Sequence, residues 1–307
     1  MPNKFDAILM IGYGAPEKIE DIGPFLKNVA KGRPIPPDRL EEVAHHYELF
    51  GGKSPLNEYT YKQAKELQKK LAENGQDIPV YVGMRNWHPF IPDTIREMSE
   101  KGYKNVVGMI MAAHQSDASW ERYQRDVQEA IAELGVEMEF KYSAPLFDHP
   151  LFIEDSADRV QDCLNEIPPE ELPNTMILFT AHSIPTPMAE ASPYVEQLTT
   201  TARLIAQILD YDNWRLVYQS RSGRPTDPWL EPDVCDVIHE IAKEGVKNVI
   251  AQPIGFICDH IEVLFDIGVE AKKASKEAGI KLLRAKTVND DPKFIEALAE
   301  VVEEMMG

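Results

Sequence analysis

The sequence predicts an α/β protein built from two copies of one plan, each a parallel sheet flanked by helices. Three observations lead there. Short runs rich in β-branched residues alternate with longer segments of helical periodicity, the pattern of a parallel sheet joined by helical crossovers. The segment Lys101-Gly102-Tyr103-Lys104-Asn105-Val106-Val107 returns as Glu244-Gly245-Val246-Lys247-Asn248-Val249-Ile250. The length of 307 residues is also about twice the ~150 of a common domain.

Taken along the chain, the apolar run Ala7–Ile11 is a strand that ends on Gly12 and Tyr13. Ile19–Val29 follows as a helix, and Tyr61–Asn74 as another that stops at Gly75. Val80–Gly83 is a strand, Ile91–Lys101 a helix closed by Gly102, and Val106–Met111 a strand. Trp120–Leu134 is a helix ended by Gly135, Glu137–Tyr142 a strand, and Leu151–Glu166 a helix, after which the Pro-rich stretch Ile167–Pro173 is a loop. The second copy then runs strand Met176–Thr180, helix Tyr194–Leu209, strand Leu216–Gln219, helix Pro232–Glu244 and strand Val249–Pro253. It closes with helix Ile261–Ala278, strand Lys281–Arg284 and helix Lys293–Met306, which Asp291-Pro292 opens as N-cap and first-turn proline.

Two further correspondences support duplication. Val82-Gly83-Met84-Arg85 reads as the counterpart of Tyr218-Gln219-Ser220-Arg221, and Ile8–Pro16 as that of Ile177–Pro185, which makes Tyr13 and His182 equivalent. The expected domains are 1–150 and 151–307, with the C-terminal helix 293–306 packing back on the first. Ligands of open α/β sheets bind beyond the carboxyl ends of the strands, and a two-domain protein adds an interdomain cleft. The polar tips are Tyr13, Arg85, His114, His182, Gln219 and Asp259–Glu262. If the halves face each other, Tyr13 and His182 approach one cleft from opposite walls.

Composition narrows the function. A net charge of −19 argues against a nucleic-acid binder and against a polybasic membrane-surface protein. The longest apolar run, Val106–Ala113, is far below the ~20 residues of a spanning helix, and no signal peptide is expected. Cys163, Cys235 and Cys258 are too few for a disulfide framework or for the four thiolates of an ordinary iron–sulfur cluster. A cytoplasmic protein is expected.

Two constellations carry chemistry. His182, in Thr180-Ala181-His182-Ser183-Ile184-Pro185, sits at a strand tip, where it serves as proton acceptor or metal ligand, or else stabilises a turn by a hydrogen bond. No Gly-x-Ser-x-Gly elbow surrounds Ser183. On a helix, Glu262, Asp266 and Glu270 fall at i, i+4 and i+8 and form one carboxylate stripe. Two readings of it are open: a solvated acidic face, or a row of hard oxygen ligands conducting a divalent cation or its displaced protons. Elsewhere, Gly51-Gly52-Lys53-Ser54 is a glycine turn ahead of a helix. It is no phosphate loop, since Tyr47 stands where the first glycine is needed. His45 and His46 point apart on a helix and share no metal, and Trp87, Trp120 and Trp229 line a flat ligand or pack the core.

Six ordered motifs then carry a resemblance: Gly12–Pro16, Gly51–Leu56, Ala181–Pro185, Tyr218–Arg221, Pro228–Pro232 and Asp259–Leu264. Their order and spacing over about Ala7–Met305 resemble those of the ferrochelatases. The resemblance implies two Rossmann-like, chelatase-type domains around a porphyrin cleft, and insertion of ferrous iron into a tetrapyrrole. By position, His182 resembles the family's catalytic histidine and Glu262 its partner carboxylate, with Asp266 and Glu270 continuing the acidic ladder. Tyr13 stands where coproporphyrin-using members have a Tyr that approaches the metal, and the short connection Gly32–Arg39 lacks the apolar lip of membrane-associated relatives. The metal-handling set is therefore His182, Glu262, Asp266, Glu270 and Tyr13.

Cations must hold the four propionates of coproporphyrin III in so acidic a protein. Lys31, Arg33 and Arg122 are the candidates, with Ser54 and Trp229 as further substrate contacts. The chain departs from some relatives in having Ala30-Lys31 where they have two arginines, and Asn86, with His88 two residues on, where they have a histidine near the cleft. The resemblance implies iron as substrate, no required cofactor, no iron–sulfur cluster, no stable membrane insertion and transient contact with neighbouring haem-pathway enzymes. It leaves open whether His182 is base or first metal ligand. The alternatives to coprohaem formation are protoporphyrin metallation, cobalt or nickel insertion into another tetrapyrrole, and a haem or tetrapyrrole carrier without turnover.

Overall fold

Strands buried on both faces read as nearly unbroken apolar runs, and the computed structural model places them that way. It describes residues 4–31, 36–222, 224 and 226–307. Met1–Met111, Trp120–Ala144 and Leu298–Gly307 make one unit, and Ala112–Ser119 and Pro145–Ala297 the other.

In the first unit, β1 (Ala7–Gly12) is buried along its whole length. It pairs in parallel with β2 (Val80–Met84) and β3 (Asn105–Ile110), and β4 (Glu139–Tyr142) joins beyond β3. Helices α1 (Ile19–Ala30), α2 (Pro37–Leu49), α3 (Leu56–Glu73), α4 (Ile91–Glu100) and α5 (Arg122–Leu134) accompany this sheet. The order β2-β1-β3-β4 reverses between β1 and β3, so the crevice beyond their carboxyl ends is the expected ligand position. Tyr13 leaves β1 there. Its loop is held by Asn57 of α3, which accepts from the Ala15 amide (2.9 Å) and donates to the Ala15 carbonyl (2.8 Å). The Ser54 amide donates to the Pro16 carbonyl at 3.1 Å. The Gly51–Leu56 turn thus positions the segment that carries Tyr13.

The second unit opens with α6 (Pro150–Leu164) and repeats the plan with β5 (Thr175–His182), β6 (Trp214–Gln219), β7 (Asn248–Gln252) and β8 (Lys281–Arg284) in the order β6-β5-β7-β8. Short α7 (Thr186–Glu190) and α8 (Tyr194–Leu209) lie between β5 and β6, and α9 (Val234–Lys243) leads to β7. A segment of π-helix, Val263–Ala271, runs into α10 (Lys272–Ala278), and α11 (Pro292–Met306) ends the chain. One face of this sheet packs Leu178, Val217 and Val249 against Val237, Ile241 and Ile267. Each such buried aliphatic side chain contributes about 1.5–3 kcal/mol. Among the described residues no helix is long and apolar enough to cross a membrane.

The predicted strands are all present, and several other readings need correction. Residues 37–49 form α2, whose apolar stripe is broken by charged residues and two histidines. The helix read from Tyr61 starts at Leu56, and Pro169–Asn174 is a 3-10 turn rather than plain loop. α9 begins at Val234, because Asp233 caps it by accepting from the Cys235 amide at 2.8 Å. The helix expected over Ile261–Ala278 is π rather than α for Val263–Ala271, and the one read from Trp120 begins within a π turn, Asp117–Glu121.

Strand register also corrects one internal correspondence. Ala7 pairs with Val106 as Met176 pairs with Val249, which keeps Tyr13 equivalent to His182. Ile8 pairs with Val80 as Ile177 pairs with Trp214, which makes Arg85 the counterpart of Gln219 rather than of Arg221. The π segments fall at matching places, after β3 and after β7. Between the left-handed glycines that bound these regions, Gly102 to Gly135 and Gly245 to Gly279, the second interval is one residue longer. The longer π segment absorbs that residue.

Gly51 and Gly52 both have positive φ, 72° and 78°, but only Gly52 is crowded: a Cβ there would lie 2.4 Å from the Ile19 backbone nitrogen. Gly51→Ala is therefore expected to cost about 1 kcal/mol for left-handed backbone alone. Gly52→Ala adds overpacking and should cost about 3 kcal/mol in denaturant unfolding. Equal costs would contradict the close approach.

Candidate active site

Within the second unit, β5 and β7 are neighbours on either side of the order reversal, so the residues that leave them share one crevice. His182 ends β5. Its Nδ1 lies 2.5 Å from the Ser183 carbonyl, which can only accept, so Nδ1 carries a proton and Nε2 is the ring nitrogen turned toward Glu262. Nε2 is 3.8 Å from Glu262 Oε2, both side chains being part-exposed. A proton on Nε2 lets this pair close into a charge-assisted hydrogen bond. The buried Tyr194 hydroxyl donates to the His182 carbonyl at 3.1 Å. On the same strand, Ala181 lies so near Gly255 that a Cβ on Gly255 would stand 2.8 Å from Ala181 Cα. Glycine lets the loop after β7 approach β5 this closely.

That loop is anchored at Asp259. Its Oδ1 accepts from Arg284 (2.9 Å) and from the Thr287 hydroxyl (3.2 Å), and its amide donates to Asn289 Oδ1 (2.8 Å). His260 packs on Phe256 with ring centroids 4.4 Å apart. Desolvation holds its imidazole below the ordinary value, against the opposing pull of Glu262 and Asp259. The π segment then begins.

Gln219, 1% exposed at the end of β6, ties these pieces together. Its Oε1 accepts from the Thr180 hydroxyl (2.7 Å), and its Nε2 donates to the Glu262 carbonyl (3.2 Å) and to Asp266 Oδ2 (3.3 Å). Ser220 also donates to Asp266 Oδ2. Despite these donors, burial pushes the Asp266 carboxyl up to about 7, and Glu262 and Glu270 add to the rise. A cavity of about 400 Å³ is lined by Gln219, Ser220, Asp233, His239, Asp266 and Glu270. Asp266 therefore both lines this cavity and shares Gln219 with the Glu262 backbone, and exposed Glu270 lines the same cavity. Among the described residues no three of His, Cys, Asp and Glu are grouped to hold a metal ion together.

A ferrochelatase family model matches residues 5–306, virtually the whole chain. The chain belongs to the ferrochelatase family. It is 40% identical to a coproporphyrin III ferrochelatase of Streptomyces griseus, over 98% of this chain and 85% of that one. It is 40% identical to another from Mycolicibacterium smegmatis, over 98% and 90%, and to a ferrochelatase of Rhodopirellula baltica, over 99% and 87%. Among solved structures, SirB from Bacillus subtilis with Fe3+ aligns with a TM-score of 0.61 at 11% identity, covering 98% of this chain and 95% of that one. At that identity the likeness shows the fold alone: two chelatase-type parallel α/β halves.

The ferrochelatase residues named from sequence fall into separate groups. His182, Glu262 and Asp266 come together in the second unit, and Trp229 lies half-buried on the loop between β6 and α9, bridging to Pro185 just after His182. In the first unit, Tyr13 is 40% exposed with its ring edge-on to Phe25 at 6.3 Å. Lys31 is exposed at the end of α1. Ser54 is 1% exposed, and its hydroxyl accepts from the Leu56 amide. Arg122 pairs with Asp126 on α5, and Arg33 lies outside the described residues. The polar tip Gln219 was visible in the sequence, but its bonds to both Thr180 and Asp266 were not.

Asp266 makes a stability prediction. Its unfolded value is near 3.8 and its folded value about 7. Between these the folded protein holds a proton that the unfolded chain has released, so stability falls as pH rises through that window. Below it both states are protonated and nothing is lost. Asp266→Asn should therefore stabilise the protein by about 2–4 kcal/mol at pH 8, with the gain vanishing near pH 4. A variant less stable than wild type at pH 8 would contradict the buried-charge account.

Proposed function

We propose that the chain inserts ferrous iron into coproporphyrin III, forming coprohaem and releasing two pyrrole protons. The observation that carries this is His182, whose Nδ1 is held by the Ser183 carbonyl and whose Nε2 lies 3.8 Å from the Glu262 carboxylate at the carboxyl edge of the sheet. The relatives named as coproporphyrin III ferrochelatases support the choice of porphyrin.

Metallation exchanges two N–H bonds for iron–nitrogen bonds, so the protein must take protons from the ring while bringing a cation to it. His182 Nε2 accepts a pyrrole proton, and the imidazolium so formed is stabilised by a charge-assisted hydrogen bond to Glu262. Glu262, Asp266 and Glu270 then give charge a path: Asp266 shares Gln219 with the Glu262 backbone and lines the cavity that Glu270 also lines. A carboxyl that titrates near 7 exchanges protons readily at neutral pH. Tyr13 is assigned to the iron face of the ring, with Lys31, Arg33 and Arg122 for the propionates and Ser54 and Trp229 as further contacts.

His182→Ala should lower kcat by 10²–10⁴ while porphyrin binding stays within a few-fold, the usual scale of a lost general base. Glu262→Gln, which keeps shape and removes charge, should also be severe. Anaerobic assay with Fe²⁺ and fluorescence titration of the porphyrin measure the two quantities separately, and near-normal turnover of His182→Ala overturns the assignment.

Substrate choice is a separate prediction. Coproporphyrin III has two propionates where protoporphyrin has vinyl groups, and each well-formed charge-assisted bond contributes about 1.5–3 kcal/mol. Two of them give a kcat/KM preference of about a hundredfold or more for coproporphyrin III. Equal values in detergent, where both porphyrins dissolve, would leave only general ferrochelatase activity.

A further inference from the structure

The carboxyl end of β5 carries a backbone group that the sheet does not serve. Pairing of β5 with β7 stops at Phe179, three residues short of His182. The Gly255 amide still takes the Thr180 carbonyl, at 3.1 Å, and the next carbonyl on that edge is that of His182. Tyr194, the first residue of α8, supplies its donor: the phenol hydroxyl lies 3.1 Å away. The other side of the same peptide is held by β6, the Ser183 amide donating to the Gln219 carbonyl at 2.7 Å. Ser183 Oγ donates to the Leu230 carbonyl at 2.8 Å, and the Leu230 amide to the Ile184 carbonyl at 3.0 Å. Ser183 is thus bracketed, and its own carbonyl is the acceptor for His182 Nδ1.

We propose that Tyr194 is a positioning residue for iron insertion. Its hydroxyl clamps the His182–Ser183 peptide, so that the Ser183 carbonyl holds the imidazole with Nε2 toward Glu262. This rests on the reading of His182 as acceptor of the pyrrole proton and deepens it. A misplaced base loses rate steeply, because proton transfer needs the acceptor within hydrogen-bond reach of the ring N–H.

The clamp is itself held from behind. Tyr194 is buried, so its hydroxyl meets the His182 carbonyl rather than water. Tyr194, Gln197 and Thr201 fall at i, i+3 and i+7 on α8 and form one buried stripe. Gln197 accepts from the Gln115 amide and donates to the Gln115 side chain, both at 2.7 Å. His114 Nε2 lies 2.9 Å from Thr201 Oγ1. The segment Ala112–Ser119 belongs to the second unit, and His114 also sets its ring edge-on to that of Tyr194, with centroids 6.4 Å apart. The side chain that reaches His182 therefore stands on a helix face already pinned by two neighbours.

The test is Tyr194→Phe, which removes the hydroxyl and keeps the ring, measured beside full-length wild type in two ways. Anaerobic metallation of coproporphyrin III with Fe²⁺ gives kcat and KM. In protein carrying isotopically labelled histidine, the His182 Nδ1–H resonance, assigned by its loss in His182→Ala, reports the bond to Ser183. The expected result is a kcat about tenfold lower, the equivalent of one hydrogen bond at ~1.4 kcal/mol, with porphyrin KM within about twofold. The resonance should move upfield or broaden as the bond loosens. Placing 4-aminophenylalanine at position 194, which restores a donor on the same ring, should recover both readouts. A Tyr194→Phe protein that is only less stable to heat, with kcat per folded enzyme and the resonance unchanged, overturns the proposal and assigns Tyr194 to packing. A fall in kcat without a change in the resonance, or the reverse, overturns it as well. Wild type that inserts no iron sinks the functional reading instead, and the resonance alone then decides whether Tyr194 holds His182.

Discussion

The buried side chain of Gln219 is the point on which the second unit's site hangs. A primary amide offers one acceptor and two donor hydrogens, and here the oxygen takes the Thr180 hydroxyl while the nitrogen serves the Glu262 carbonyl and Asp266. Those partners lie on β5, at the start of the π segment and within it. Through them the sheet that ends in His182 and the helix that carries Glu262 are held in one register. The bond from the Ser183 amide to the Gln219 carbonyl, 2.7 Å, closes the same junction on the backbone side. An apolar residue of equal size would leave three buried polar groups without their partner, each a cost of about 1–3 kcal/mol.

The arrangement is held against a cost. Asp266 is buried among groups that include two further carboxylates, and its donors only partly offset the desolvation that raises its carboxyl. A π turn is itself a poorer helix, and such segments recur at functional sites. The Asp259 network answers both: Arg284, Thr287 and Asn289 fasten the loop before Glu262 to the end of β8 and the loop that follows it.

Much of this was legible from residue order, for identifiable reasons. The strands were, because burial on both faces leaves an apolar run between turn residues. His182 was, because a polar residue directly after such a run stands at the sheet edge, whereas Glu262, ten residues past the end of β7, is marked by the stripe spacing and the family resemblance. The π geometry was not: carboxylates four apart align on an α-helix and a π-helix alike, and only the one-residue difference between Gly102–Gly135 and Gly245–Gly279 betrays the wider turn. The Arg85–Gln219 equivalence was missed because residue likeness favoured Arg221, whereas strand pairing decides register. Ser54 shows the opposite limit. Its motif was plain, yet the sequence did not reveal that its amide and its hydroxyl are occupied in building the turn.

Duplication explains how one fold accommodates two substrates of opposite charge. A divalent cation needs carboxylates and a porphyrin acid needs guanidiniums, and groups of these two kinds placed side by side would neutralise each other before either ligand arrived. The matching positions after β2 and β6 differ in charge: Gln219 is a neutral amide that donates to the Asp266 carboxyl, and Arg85 is a guanidinium paired with Asp126. The overall charge of −19 works against such a substrate, since a polyanionic ring approaching so acidic a surface is repelled at long range. That repulsion is screened beyond about 8–10 Å at physiological salt, so a local pair of guanidiniums suffices once the ring is near. An acidic surface can therefore coexist with an anionic substrate, provided a few cations are fixed where the ring docks.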